Sequence, residues 1–295
     1  MTEVAADGLE HFTTHRTLLF TVAYEILGSV GDAEDVVQET WLRWADVVHE
    51  EVRDPRAYLV RIATRQALNR LRSLARRREA YVGPWLPEPL LTTPDVADDV
   101  ELRESVSTAM LLVLESLRPT ERAVFVLREV FAFGYDEIAA SVGKSEAAVR
   151  QIAHRARQHV AARRPRQPVD TAEARAVAER FKAALETGDL QPLLEVMAPD
   201  VVLVADGGGV VQAARRPVEG AEKVLRYLGG VGRKQIDIAL EPATVNGGAG
   251  LLVLVSGVPD GVVSMRVDHG LATELYYVRN PAKLRALGRS TPLER

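Results

Sequence analysis

Residues 135–160 read YDEIAASVGKSEAAVRQIAHRARQHV, and this stretch decides the fold of the segment around it. Ala139 is small where two helices must cross closely, and Gly143 suits a turn that needs a positive φ. Ser145 is a natural N-cap for the next helix, and Glu146 suits the positive end of that helix. The spacing of these residues predicts a helix-turn-helix.

The second helix of this motif carries the polar positions that would enter a major groove of DNA. The aliphatic residues that we expect in the shared core are Ile138, Val142, Val149 and Ile152. The positions that we expect on the DNA-binding face are Ser145, Ala148, Arg150, Gln151, His154, Arg155 and Arg157. Arginine and glutamine pair with base edges, and further arginines hold phosphates. A plain helical hairpin is the alternative interpretation, which an arginine face without acids disfavours.

The arginines of this chain are clustered, although the 295 residues carry a net charge of −4. Residues 61–78 and 147–166 each lack an acidic side chain. The arginines of these segments are Arg61, Arg65, Arg70, Arg72, Arg76, Arg77 and Arg78, then Arg150, Arg155, Arg157, Arg163, Arg164 and Arg166. Solvated helix faces usually mix both signs, so we favour local nucleic-acid contacts over simple solvated faces.

Composition excludes several classes of protein and of site. The chain has no cysteine, so it forms no disulfide and no thiolate metal site. No apolar run approaches the ~20 residues that span a bilayer, and the N-terminus does not resemble a signal peptide. His154 and His159 lack neighbouring ligands for a metal. We therefore expect a cytoplasmic protein without cofactor or metal.

The first part of the chain is helical and is interrupted by a proline-rich linker. Apolar residues recur at helical spacing over residues 9–78 and again over 101–164. Residues 83–95, GPWLPEPLLTTPD, hold four prolines and form a linker that is unusually apolar. A second break is expected at residues 163–170.

The pattern after residue 170 changes to an α+β domain. Helices are expected at Thr171–Glu186 and Glu219–Leu228. Strands are expected at residues 201–205, 236–240, 251–256, 262–267 and 271–278. Turns are expected at Asn246-Gly247, Asp260-Gly261 and His269-Gly270. Together they predict a meandering antiparallel sheet.

Three stretches resemble conserved regions of bacterial RNA polymerase sigma factors. GDAEDVVQETWLRW at 31–44 resembles regions 2.1–2.2, residues 55–78 resemble regions 2.3–2.4, and residues 117–160 resemble region 4. The absence of a separate domain between these blocks is typical of the extracytoplasmic-function type.

Further motifs resemble a sigma-J-like subgroup with a C-terminal SnoaL-like, NTF2-like cone. They are WLPEPL at 85–90, Asp206-Gly207-Gly208-Gly209, and Asn280-Pro281-Ala282-Lys283-Leu284. The resemblance implies a multidomain fold: an all-α region 2 at 7–80, a linker at 81–100, an all-α region 4 at 101–165, and the α+β cone at 170–288.

The resemblance also implies partners for the helical regions: the polymerase β′ clamp and β flap, and promoter DNA. The residues expected to dock on the clamp helices are Asp35, Gln38, Glu39 and Trp41; Trp44 is expected in the core, and Trp41 suits either role. The residues expected at the −10 element are Arg61, Arg65, Asn69 and Arg72, after a base-capturing loop at 47–54. Many relatives have asparagine in place of Arg65, which leaves open which side chain reads the first captured base. The helix-turn-helix face is expected at the −35 element.

For the C-terminal domain, the resemblance implies regulation of the sigma regions. The residues expected in this role are Trp85, Leu86, Pro87, Asp206, Gly207, Gly208, Gly209, Asn280, Pro281, Lys283 and Leu284. The SnoaL-like fold also hosts enzymes, but Asp206, Asp237 and Asp268 form no coherent acid–base pair, so we expect no catalysis. The resemblance leaves room for an unidentified small-molecule ligand in this domain.

The leading hypothesis is a promoter-specific initiation factor that works with core RNA polymerase. A stand-alone helix-turn-helix regulator is disfavoured by the clamp motif at 31–44, which a lone repressor does not need. An enzyme fused to a DNA-binding module is the other alternative.

Overall fold

The computed structural model of the chain describes residues 2–93, 96, 99–163, 170–189, 191–232, 237–287 and 290–295, and side chains except those of residues 2–7, 75–79 and 231–232. Predictions that lie outside this description concern Ile236, the break at 164–169 with Arg164 and Arg166, and the side chains of Arg76, Arg77 and Arg78. The chain divides into two compact units. The first comprises Met1–Glu79, Met110–Arg164 and Pro292–Arg295, and the second comprises Ala80–Ala109 and Pro165–Thr291.

The first unit begins with three helices that pack on one another: α1 (Thr2–Leu27), α2 (Val30–Ala45) and α3 (Pro55–Glu79). Ser29 caps α2 by accepting a hydrogen bond from the Asp32 amide at 3.2 Å. Trp44 is completely buried, as predicted, and its indole Nε1 donates to the Gly8 carbonyl at 2.7 Å. Such a bond satisfies the only polar atom of a buried indole.

The helix-turn-helix lies in the same unit. Helix α4 (Val100–Val106) belongs to the second unit. Helices α5 (Thr108–Glu115) and α6 (Pro119–Phe125) follow it in the chain and precede a π-helical turn at Val126–Val130. Helices α7 (Tyr135–Val142) and α8 (Glu146–Ala161) then form the motif.

The predicted local details of the motif are confirmed. Gly143 ends α7 with φ +67°, and Ser145 accepts a hydrogen bond from the Ala148 amide at 3.3 Å. Ile138, Val149 and Ile152 are buried, whereas Val142 is only partly so. The turn therefore forms where a residue tolerant of positive φ meets an N-cap.

Helix α3 packs against both α6 and α7, so the two helical segments form one packed unit. Arg122 of α6 is buried; its Nε donates to the Glu25 carbonyl of α1 at 2.9 Å, and its guanidinium pairs with Glu115. Burial lowers the pKa of Arg122 to about 9. A buried guanidinium persists only where such partners compensate for its lost hydration.

The second unit is built on one sheet of described strands. These are β1 (Met197–Asp206), β2 (Val218–Glu219), β3 (Ile238–Val245), β4 (Gly248–Val255), β5 (Val258–Asp268) and β6 (Leu271–Val278). They are ordered β2-β1-β6-β5-β4-β3. Strands β3 to β6 form the predicted antiparallel meander, but β1 runs parallel to β6, with Leu203 opposite Leu275. The prediction of a wholly antiparallel sheet is wrong because the long connection between β1 and β6 permits a parallel pair.

Two of the predicted turns are confirmed and one is wrong. The residues of Asn246-Gly247 and of His269-Gly270 all have positive φ. Asp260-Gly261 lies inside β5, and the actual turn is Ser256-Gly257. A Cβ at Gly261 would lie 2.6 Å from the Tyr277 ring, so this glycine permits close strand packing instead of a turn.

Helices α9 (Thr171–Thr187) and α10 (Ala221–Gly232) supply apolar residues to a common core with the sheet. Phe181 and Val224 from these helices belong to one buried cluster with Leu251 of β4. The predicted helix at 171–186 is confirmed; the other begins at Ala221 because Val218–Glu219 pair with β1. Helices and a mixed sheet confirm the predicted α+β class.

The chain segment at 80–109 packs within this second unit and contains helix α4 (Val100–Val106). Leu86 and Leu90 are buried, and the Asn246 amide donates to the Leu90 carbonyl at 2.8 Å. Leu91 forms a β-bridge with Val245. The apolar composition of this linker therefore reflects burial against the sheet.

Candidate nucleic-acid interface and linker cluster

The polar face of α8 is exposed as the sequence predicted. Ser145, Arg150, Gln151, His154, Arg155 and Arg157 are all exposed, whereas Ala148, also predicted on this face, is only partly exposed. Arg150 pairs with Glu146 and lies 4.6 Å from the Tyr135 ring centre. The Nε atoms of Arg155 and Arg157 lie 3.9 Å and 3.5 Å from the carboxylates of Glu121 and Glu129. The side chains of Arg155 and Arg157 are 52% and 48% exposed, so solvent reaches these arginines although each lies beside a carboxylate.

On α3, the predicted −10 residues have different surroundings. Arg61 lies over the Tyr58 ring at 4.6 Å, and Arg72 donates to Asn69 at 3.4 Å. Arg65 instead donates from Nη2 to the Ala140 carbonyl at 2.7 Å, at the C-terminal end of α7. Cations suit this end of a helix, where carbonyls lack helical partners.

An open cleft of about 450 Å³ lies at the predicted base-capturing loop. Residues of this loop, 51–54, line one side, together with Tyr58 and Arg61 of α3. Asp136 and Glu137 of α7 line the other side. The lining of this cleft therefore combines the basic side chains of Arg53 and Arg61 with the carboxylates of Glu51, Asp54, Asp136 and Glu137.

The exposed face of α2 carries the predicted docking residues. Asp35, Gln38 and Glu39 are exposed. Trp41 is partly exposed, and its ring centre lies 4.9 Å from that of Phe12 on α1. Trp41 thus packs on the core at one edge and presents the rest of its ring, whereas the other tryptophan of the helix is enclosed.

The predicted regulatory residues of the second unit meet around Asp206, which is completely buried. Its carboxylate accepts hydrogen bonds from the Tyr81 hydroxyl at 2.5 Å, the Leu86 amide at 2.9 Å and Lys283 Nζ at 2.7 Å. Lys283 also donates to the Leu86 carbonyl and lies 4.1 Å from the Trp85 ring centre. Asn280 donates to the Tyr81 hydroxyl at 2.7 Å. We call this group, Tyr81, Trp85, Leu86, Asp206, Asn280 and Lys283, the linker cluster.

The glycines after Asp206 allow the chain segments of this cluster to approach one another. Gly208 has φ +61°, and a Cβ there would lie 2.3 Å from the Asn280 amide nitrogen. A Cβ on Gly207 would lie 2.4 Å from the Val211 carbonyl, and one on Gly209 would lie 3.0 Å from Val82. The glycine run is therefore required by close backbone approach as well as by positive φ.

The remaining motif residues support this arrangement. Pro87 is buried, and Pro281 begins a short 3₁₀ helix (Pro281–Lys283) capped by Asn280. Leu284 packs against a small apolar cluster that contains Val245 and Leu287. The tail motif thus combines a cap, a buried cation and an apolar anchor.

Comparisons with known proteins match both helical segments to one family. Residues 11–77 match the family model for Sigma-70 region 2, and residues 107–160 match that for Sigma-70, region 4. The ECF RNA polymerase sigma factor SigJ of Mycobacterium tuberculosis is 38% identical over 291 residues, which cover 93% of this chain and 92% of SigJ. The chain belongs to the extracytoplasmic-function (ECF) sigma factors of RNA polymerase.

Further comparisons agree over nearly the whole length of this sigma factor. The probable ECF sigma factor SigI of M. tuberculosis is 33% identical over 275 residues, with 92% of both chains covered. The crystal structure of M. tuberculosis SigJ superposes with a TM-score of 0.74 at 36% identity, covering 94% of this chain and 98% of SigJ. The family is that of transcription initiation factors that bind RNA polymerase.

Several residues of the sites in this sigma factor were not predicted from its sequence. Tyr81 precedes the WLPEPL motif, and burial and the hydrogen bond to Asp206 raise its pKa. Asn246, predicted only as a turn residue, accepts from the Leu90 amide at 3.1 Å and donates to the Val106 carbonyl at 3.0 Å. Arg70, counted only among the basic residues, contacts carboxylates of α2. Of these residues, Tyr81 alone had a signal in the sequence, because it is an aromatic residue close to a motif.

Two carboxylates of the second unit, those of Asp260 and Glu274, are held by hydrogen bonds from neighbouring side chains. Asp260 accepts two hydrogen bonds from Arg279, each 2.8 Å long, and Glu274 accepts one from Tyr276 at 2.5 Å. Asp237 is exposed and Asp268 partly so. In the part of the chain that the structure describes, no group of three or more acidic or histidine side chains is placed to hold a metal. None of the described helices is both long and apolar enough to span a bilayer.

A cavity of about 100 Å³ lies between α4 and the sheet. Its polar lining residues include Thr108 and Ser264, whose hydroxyls pair at 3.0 Å, and Asn246, which binds backbone groups. Val245 and Met265 contribute apolar lining. The charged residues Arg103, Glu104 and Arg266 also line the cavity, which therefore offers both apolar and polar contacts.

Proposed function

We propose that this sigma factor directs core RNA polymerase to a two-part promoter. In this proposal Arg61, Arg65, Asn69 and Arg72 serve the −10 element and the exposed face of α8 serves the −35 element. The α2 residues Asp35, Gln38, Glu39 and Trp41 dock on the β′ clamp, and region 4 meets the β flap. The observation that carries the proposal is the exposed arginine face of α8 on a helix-turn-helix, in a chain of this family.

The contact between α3 and α7 supports a requirement for polymerase. The elements of a two-part promoter lie helical turns apart, at about 34 Å per turn of DNA. Arg65 bound to the end of α7 holds the −10 helix against the helix-turn-helix. While α3 and α7 stay in contact, the two regions cannot bind both promoter elements at once. We therefore propose that docking on polymerase separates the two regions and that the free chain binds promoter DNA weakly.

The linker cluster supports a regulatory role for the C-terminal domain. Residues 80–93 connect region 2 to region 4, and buried contacts with Asp206, Asn246 and Lys283 hold part of this connection. The C-terminal domain therefore binds the linker, and the conformation of this linker sets the distance between the two DNA-binding regions. We propose that these contacts restrain the two DNA-binding regions in the free protein and support them in the active complex.

Transcription from mapped promoters with purified core polymerase tests the proposal. The full-length chain is compared with chains that end before Asn280 and before Asp170, at equal protein levels. The first truncation removes Lys283 and should raise activity. The second removes the domain together with its support and should lower activity. Equal activity of all three would contradict the regulatory role, and tight specific duplex binding without polymerase would contradict the need for polymerase.

Catalysis is not part of the proposed function of the C-terminal domain. Asp206 is committed to the linker cluster and Asp260 to Arg279, so neither is disposed as a free general base. The cavity under α4 is where we place any ligand of this domain. Turnover by the full-length chain, or a bound polar substrate in this cavity, would contradict this part of the proposal.

A further inference from the structure

Arg70 on α3 lies against an acidic face of α2. Its Nε lies 2.5 Å from Asp32 Oδ1, its Nη2 pairs with the Asp35 carboxylate, and its Nη1 lies 3.6 Å from Glu39 Oε1. The planar guanidinium has donors in several directions, so one side chain can serve all of these acids.

Two of these carboxylates are held by Arg70 and yet remain open to a partner. The side chains of Asp35 and Glu39 are 52% and 47% exposed, whereas that of Asp32 is 20% exposed. Each carboxylate has lone pairs for several donors. Asp32 therefore anchors the guanidinium, while Asp35 and Glu39 are oriented without being covered.

Like charges on one helix face need such a partner. Asp35 and Glu39 are four residues apart on α2, a spacing at which two acids repel each other. Without Arg70 their side chains would spread through several rotamers. A partner would then have to order them on binding, which reduces affinity.

The engagement of Arg70 also separates it from its DNA-binding neighbours. Asn69 and Arg72 lie close to it on α3 and bind each other, but the Arg70 guanidinium donates to an acidic side chain of α2. Burial would lower the pKa of Arg70, but the hydrogen bond to Asp32 and the charges of the acids outweigh it and raise the pKa. The guanidinium is thus charged and occupied by carboxylates.

We infer that Arg70 is a positioning residue for polymerase docking: it fixes the carboxylates of Asp35 and Glu39 in the orientation that the polymerase binds. The inference rests on the proposed docking role of Asp35, Gln38, Glu39 and Trp41. The inference adds to these docking residues a residue of α3, the helix proposed for the −10 element, that affects polymerase binding through α2.

Binding of labelled full-length sigma factor to core polymerase without DNA tests this role. Arg70→Gln should weaken binding roughly five- to tenfold through faster dissociation. Association should not slow, because the acidic face gains net negative charge. Arg70→Lys should be intermediate, since one ammonium cannot serve all three acids. The matched control is Arg16→Gln, which removes the exposed 2.8 Å pair with Glu34 on the same helix and should leave affinity within twofold.

Further variants separate the failure of this role from that of the docking site. Asp35→Asn and Trp41→Ala should each weaken binding; if neither does, the docking site is wrong and the role of Arg70 with it. If they weaken binding and Arg70→Gln does not, only the positioning role is overturned. A double-mutant cycle of Arg70→Gln with Asp35→Asn should be non-additive. Additive effects would assign Arg70 a purely structural role and overturn the inference.

Discussion

Lys283 of the tail motif donates a hydrogen bond to the Asp206 carboxylate at 2.7 Å, and both residues are buried, with exposed fractions of 7% and 0%. The pair joins the end of β1 to the turn after β6. Lys283 also binds the Leu86 carbonyl, so the same cation holds the linker. Breaking a buried pair costs more than it would at the surface because the remaining charge stays desolvated.

Lys283→Met should lower the free energy of unfolding by about 3–5 kcal/mol, because it leaves the Asp206 carboxylate buried without a cation. The measurement is denaturant unfolding of the full-length chain. Lys182→Met, which removes an exposed pair with Glu186, is the control and should change stability little. Equal stability of the two variants would contradict the importance of burial at this pair.

Tyr81→Phe should destabilise the chain by about 1–3 kcal/mol, because the ring stays while the Asp206 carboxylate loses a donor and Asn280 loses an acceptor. Burial and Asp206 raise the pKa of Tyr81, so the folded state favours the protonated phenol. Its contribution to stability is complete below the ordinary pKa of about 10 and is lost as the pH rises above it.

The stability difference between wild type and Tyr81→Phe should therefore be constant below about pH 10 and shrink between about pH 10 and pH 12. This difference isolates Tyr81 from Tyr276 and Tyr277, whose pKa values burial also raises. A difference independent of pH over this range would contradict the hydrogen bond to Asp206.

Gly208→Ala should be more destabilising than Gly188→Ala by about 1–3 kcal/mol. Both glycines have positive φ, but a Cβ on Gly208 meets Asn280 while one on Gly188 meets no atom within 4 Å. Asn280 cannot move cheaply because it binds Tyr81 and the Ala282 amide. Thermal unfolding compares the two variants, and equal losses would show that only backbone strain matters there.

Arg150→Ala and Arg155→Ala should weaken recognition of the −35 element by holoenzyme. An arginine that binds a base edge contributes about 1–3 kcal/mol of discrimination at one position. Loss of a phosphate contact instead lowers affinity for all sequences. Initiation is measured on promoters with single changes in the −35 element and at several salt concentrations. Arg180→Ala, an exposed arginine of the C-terminal domain, is the control. Normal initiation by both variants on every promoter would contradict the groove assignment.

Local patterns were sufficient for the helical part of this protein. The turn at Gly143, the cap at Ser145 and the exposed face of α8 depend on residues within a few positions of one another, and each was predictable. Two strand turns were predictable for the same reason. Asp260-Gly261 was not, because the same dipeptide also allows close packing between strands, and only the neighbouring Tyr277 decides between these roles.

By itself, the sequence determined the family, the helix-turn-helix, the α+β class of the C-terminal domain and the motif residues 85–90, 206–209 and 280–284. Only the tertiary structure decided the parallel pairing of β1 with β6 and the meeting of those motifs around Asp206, because partners separated by more than 70 residues leave no local pattern. It also decided that Arg65 binds the end of α7 and that Arg70 binds the acids of α2. An arginine pattern records the charge of a segment, whereas packing selects the group to which each guanidinium binds.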